Sequence, residues 1–128
     1  MLKNKKLTAL LLLPFLLSSC ATSSITNLTP TQQPRNPTGL YPIEFAWDSS
    51  QVTLRPDTIA PQVVIGFDFH PMRPTLKMNN RWEALVPIPP NQNSIIYHVK
   101  VDYEYNQIGK KGKGSKLSPE YKLTIVDR

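Results

Sequence analysis

The residues from Ile95 to Tyr105 alternate strictly enough to leave few folds open. Ile95, Tyr97, Val99, Val101, Tyr103 and Tyr105 fall on one face of an extended chain, and Ile96, His98, Lys100, Asp102 and Glu104 on the other. Successive side chains of a strand point to opposite faces, so this is the pattern of a half-buried antiparallel strand, apolar inward and polar outward. Upstream, Trp82, Ala84, Val86 and Ile88 alternate in the same way, and Pro89-Pro90-Asn91-Gln92-Asn93 separates the two runs. The pattern predicts a β-hairpin from Trp82 to Tyr105.

Other stretches carry the same period. Tyr41, Ile43, Phe45 and Trp47 alternate against Pro42, Glu44 and Ala46, and Asp48-Ser49-Ser50 reads as a turn. Val63, Ile65, Phe67 and Phe69 share one face of a strand over 62–69, with Gly66 marking a bulge or a close approach. A short strand is expected at 75–78, Asn79-Asn80 reads as a turn that tolerates positive φ, and Tyr121, Leu123 and Ile125 line one face of a last strand over 120–126. Thirteen prolines and five glycines argue against long helices and for strands joined by short turns. The expectation for 41–128 is therefore an all-β antiparallel sandwich.

The N-terminal 19 residues read as an export signal. Lys3, Lys5 and Lys6 supply a positive start and an apolar run follows, too short for a membrane-spanning helix, which needs roughly 20 apolar residues. The run closes on Leu17-Ser18-Ser19-Cys20, which resembles the lipobox of bacterial lipoproteins. That resemblance implies cleavage after Ser19, a diacylglyceryl thioether on Cys20 and acylation of the new terminus, a palmitate-type anchor. Ala21 stands where an aspartate would favour inner-membrane retention in enteric Gram-negative lipoproteins, so the resemblance implies the outer membrane. Residues 20–40, rich in Thr, Ser, Asn, Gln and Pro, then read as the lipidated cysteine and a disordered tether.

The C-terminal third resembles a fibronectin type III domain. Tyr97-x-Val99-x-Val101, then Asn106-x-x-Gly109, then Ser118 before a final strand follows that domain's closing pattern. Val63 to Phe69 and Trp82 to Pro87 are similar to early-set immunoglobulin-like domains. Both resemblances imply one architecture, an immunoglobulin-like (fibronectin type III-like) sandwich behind a signal peptide and a tether. Neither implies a function, because the fold hosts many.

A search for chemistry returns little. Removing Lys3, Lys5 and Lys6 leaves twelve basic against nine acidic residues, a net charge of +3, too mild to argue for nucleic acid. The single cysteine, Cys20, is committed to lipid and allows no internal disulfide. His70 and His98 are the only histidines, with no zinc-site spacing and no nucleophile motif. No enzyme, metal or cofactor is expected. Lys110, Lys111, Lys113 and Lys116, in a glycine-rich loop over 110–116, are candidates for contact with an anionic surface, and Tyr103 and Tyr105 for exposed aromatics. The expected role is a lipid-anchored cell-envelope module that binds a protein partner, or alternatively a surface glycan.

Overall fold

The computed structural model describes residues 23–51 and 53–127. In chain order its strands are β1 (Ser23–Asn27), β2 (Gln32–Pro34), β3 (Leu40–Ser49), β4 (Ala60–Ile65), β5 (Asp68–Pro71), β6 (Arg73–Pro74), β7 (Arg81–Pro87), β8 (Ser94–Gln107), β9 (Lys110–Leu117) and β10 (Tyr121–Val126), with one 3-10 turn at Pro56–Thr58. One sheet has the order β1-β3-β7-β6 and the other β2-β10-β8-β4-β5, with β9 also on β8. Neighbours run antiparallel except β2, which lies parallel to β10.

The sheets face each other across a single apolar core. Tyr41, Ile43, Phe45 and Trp47 of β3 and Val86 of β7 come from one side, and Val63 of β4, Ile95, Tyr97, Val99 and Val101 of β8 and Leu123 and Ile125 of β10 from the other. Each such side chain taken out of water contributes roughly 1.5–3 kcal/mol. The alternation of 41–47, 95–101 and 121–125 thus marks core positions, as expected.

The hairpin expected from Trp82 to Tyr105 does not form. β7 pairs with β3 and β6, whereas β8 pairs with β4, β9 and β10 in the opposite sheet. Paired side by side, both apolar faces would lie on one side of one sheet. In opposite sheets they cover each other, and the connection over residues 88–93 crosses the roughly 10 Å between layers. Ile88 anchors that crossing, buried and with its N–H donating to Gly39 O at 2.9 Å.

The expected tether is largely structured from Ser23 onward. β1 pairs with β3 from Ser23↔Ser49 to Asn27↔Phe45, and β2 pairs with β10. Polar side chains hold the change of sheet between them. Thr29 Oγ1 donates to Glu44 O at 3.0 Å and accepts from Glu44 N–H at 2.9 Å. Asn27 Nδ2 donates to Tyr97 Oη at 2.9 Å, and Gln33 Nε2 to Pro42 O at 2.9 Å. Low apolar content, which argued for disorder, is offset by hydrogen bonds, by the buried Thr29 and Gln33, and by the half-buried Ile25 packed against the core.

The strand expected over 62–69 reverses at Gly66-Phe67. Gly66 has φ +60°, and Ile65 pairs with Asp68, giving a two-residue hairpin turn with glycine in first place. Phe67 is therefore fully exposed, and Phe69 lands opposite Val64 on the outer face rather than in the core. At the other end, β9 and β10 are one strand interrupted at 118–120. Pro119 has no N–H to give, and Ser118 bridges the gap: its N–H donates to Val99 O and its Oγ accepts from Val99 N–H, both at 2.8 Å.

The N-terminal segment divided between the sheets as β1 and β2, with the orders β1-β3-β7-β6 and β10-β8-β4-β5, is the arrangement of an immunoglobulin-like sandwich carrying one extra strand beside the central three.

Candidate functional site

Two surfaces carry unspent chemistry: the β8–β9 hairpin and the outer face of the second sheet. The hairpin occupies the stretch expected to be a basic loop. β9 pairs with β8 in unbroken register from Lys100↔Leu117 to Gln107↔Lys110, closed by Ile108-Gly109 with Gly109 at φ +76°. Its glycines face tyrosines, Tyr103↔Gly114 and Tyr105↔Gly112, so each ring lies over a position without a side chain. On its other edge β8 is flanked by residues 53–58: Asn106 N–H donates to Thr53 O at 2.9 Å, and Arg55 N–H to Glu104 O at 3.0 Å. A flexible loop is thereby replaced by a supported strand pair.

The register divides the four lysines. Lys111 and Lys113 lie opposite Asn106 and Glu104 on the outer face, while Lys110 and Lys116 lie on the tyrosine side. Lys110, Lys111 and Lys113 are exposed, and the half-buried Lys116 donates from Nζ to the carbonyl of Ser23. Glu104, across from Lys113, has Arg55 at 3.7 Å, and Arg55 also reaches Asp57 at 3.7 Å.

Tyr103 and Tyr105 are half-buried, not the exposed pair expected. Tyr103 packs on Trp47 with ring centroids 5.6 Å apart, and Tyr105 on Tyr103 at 6.4 Å with planes inclined by 45°. The rings extend the core towards the hairpin. They do not make the flat platform on which a sugar ring stacks.

The outer face of the second sheet presents a row in which alternation alone misassigned Phe69. His98 lies opposite Val64, and Val64 opposite Phe69. Ile96 and Leu117 flank this row, and Phe67 projects at its end; Phe69, Ile96 and Leu117 are each about half exposed, at 53, 48 and 58%. Charges of both signs border the apolar group. His98 Nε2 is 3.7 Å from Glu120, and Lys100 Nζ 3.7 Å from Asp102. His98 Nδ1 is 3.1 Å from Ser118 O, which fixes the ring. The missed signal was Gly66, whose reversal moves Phe69 across the sheet.

At the opposite pole Arg35 borders an open cleft with Asn36, Thr38, Tyr41 and Pro90. Its guanidinium joins chain segments: Nε to Asp127 at 2.5 Å, Nη1 to Pro90 O at 2.9 Å and Nη2 to Asn93 Oδ1 at 2.6 Å. Among the described residues no three His, Cys, Asp or Glu side chains converge to hold a metal. Cys20 and the leader lie outside the described residues.

No protein-family model matches the chain, and no curated protein matches it. Among solved structures the chain is similar to murine CRIg, with 13% identity, a TM-score of 0.42, and coverage of 82% of this chain and 98% of that one.

Proposed function

We propose that this chain is a lipid-anchored lipoprotein of the bacterial envelope. In this reading the sandwich binds a protein partner through the outer face of its second sheet and does not catalyse. The anchor is supported by Leu17-Ser18-Ser19-Cys20 behind a basic and then apolar leader. The outer membrane is the favoured location because Ala21, not aspartate, follows the cysteine.

The binding role rests on the outward apolar group of Phe69 and Val64 with Ile96 and Leu117 flanking them. An apolar centre rimmed by His98–Glu120 and Lys100–Asp102 is the composition of a protein–protein contact. A nucleic acid would call for an excess of cations, and a glycan for a flat aromatic surface. The inclined and half-buried Tyr103 and Tyr105 give the glycan alternative less support.

The test pairs two readouts. Wild-type protein should label with a palmitate analogue and Cys20→Ala should not. Crosslinking in intact cells should capture a partner with the wild type, at least tenfold less with Phe69→Lys, and undiminished with Leu76→Lys, a more exposed apolar residue away from the face. Equal capture by all three forms would remove the assignment of the face.

A further inference from the structure

We infer that the β8–β9 hairpin is a foot that rests on the anionic phospholipid surface of the membrane holding the anchor. This inference rests on lipidation at Cys20, and extends it from where the chain is held to how the domain stands.

The start of β1 and the hairpin share one pole of the sandwich. Lys116 Nζ donates to Ser23 O, and Ser23 pairs with Ser49, with their hydroxyls 3.1 Å apart. Trp47, two residues before Ser49, packs its ring on Tyr103 at 5.6 Å. The crossing over residues 88–93 and the Arg35 cluster lie at the other pole, where β8 begins.

Two lengths then decide the geometry. Ser23 follows Cys20 by three residues, a link that spans roughly 10 Å when fully extended. Ile108 stands five residues beyond Tyr103, hence about three beyond the level of Ser23, or roughly 10 Å at ~3.3 Å per residue. The tip therefore projects about as far as the link can stretch. A chain held at Cys20 cannot lift this pole clear of the headgroups.

The tip has the composition for that contact. Ile108 is fully exposed at its apex, Lys110 and Lys111 follow it, and no acid occurs from Tyr105 to Gly112. An apolar apex with adjacent cations suits the boundary between headgroups and acyl chains. Of the neighbouring carboxylates, Glu104 and Asp57 lie by Arg55, and Asp48 is exposed near the end of β3. The strand pairing makes the tip a firm projection, and Lys116 ties its base to the segment that leads to the anchor.

The experiment uses the full-length acylated protein reconstituted in vesicles of phosphatidylethanolamine and phosphatidylglycerol, 3:1. With Cys20 acylated, Ile108→Cys or Asn91→Cys supplies the single free thiol for a fluorophore. Spin-labelled headgroups should quench the label at 108 at least threefold more than at 91. Lys110→Glu with Lys111→Glu, or replacing both lipids by phosphatidylcholine, should lower the quenching at 108 at least twofold. Equal quenching at the two sites in floating vesicles overturns the foot and leaves the anchor standing. Quenching at 108 that ignores both charge reversal and lipid charge overturns the anionic contact. A reactive thiol at Cys20 in the wild type, with no flotation, overturns the anchor and the foot together.

Discussion

The ring of Tyr105 lies so close over Gly112 that a Cβ on residue 112 would stand 2.4 Å from two of its carbons. Tyr103 repeats the relation over Gly114, where a Cβ would meet the ring at 2.5 Å. These glycines are there because a ring occupies the space a side chain would take. The stacked order Trp47–Tyr103–Tyr105 carries the core beyond the sandwich proper and stiffens the hairpin.

Neither Gly112 nor Gly114 sits at positive φ, so alanine meets no backbone obstacle at either position, and its cost is steric. Gly114→Ala should be the worse of the two. Tyr103 is wedged against Trp47, which is itself 2% exposed, while Tyr105 lies further out along the hairpin. Overpacking of this kind costs roughly 1–3 kcal/mol. Urea unfolding of the leaderless chain should show Gly114→Ala near the top of that range and Gly112→Ala near the bottom. Two alanine variants as stable as the wild type would mean that the rings are free to move, and the hairpin would lose its stiffness argument.

These glycines also show where the sequence ceased to be legible. A run of lysines and glycines reads as a loop because nothing in it has an inward apolar side chain; the inward groups belong to the partner strand. β3, β8 and β10 were legible because each carries its own apolar face. β1 and β2 were not, because what holds them is a set of hydrogen bonds from Asn27, Thr29 and Gln33 to distant backbone and phenol groups. Alternation likewise identifies a strand without naming its partner, which is why β7 and β8 read as a hairpin. Of the candidate site, the lysines were legible as residues but not their division between two faces. The row at Phe69 was hidden by a single glycine turn.

Thr29 tests the claim that the expected tether belongs to the fold. It is buried, at 8% exposure, and its hydroxyl both donates to and accepts from the backbone of Glu44. Thr29→Val keeps the shape and removes the hydroxyl that accepts from Glu44 N–H of β3, while Glu44 O keeps the N–H of Leu28 at 3.0 Å. An unsatisfied buried group costs about 1–3 kcal/mol. Thr31→Val, two residues on and exposed, should change stability by less than about 0.5 kcal/mol. Thermal unfolding of both variants checks this: for a domain of this size roughly 1 kcal/mol corresponds to about 4–8 °C in Tm. Equal midpoints would return residues 23–34 to the status of a tether.

Phe45 and Phe69 are both placed inward by alternation alone, yet the fold separates them. Phe45 is wholly buried on β3, and Phe69 is 53% exposed on β5 after the Gly66 turn. Phe45→Ala should cost roughly 3–5 kcal/mol, a large part of the stability of a small domain. Phe69→Lys should stay within about 0.5 kcal/mol of the wild type, because it buries no charge and opens no cavity. Chemical denaturation of the two variants distinguishes the assignments: a Phe69→Lys protein destabilised by several kcal/mol would put that side chain back in the core. If Phe69→Lys folds as well as the wild type and still loses its crosslinked partner, the loss belongs to the surface itself. Phenylalanine at 69 would then be retained for contact with another protein, since the fold has no need of it.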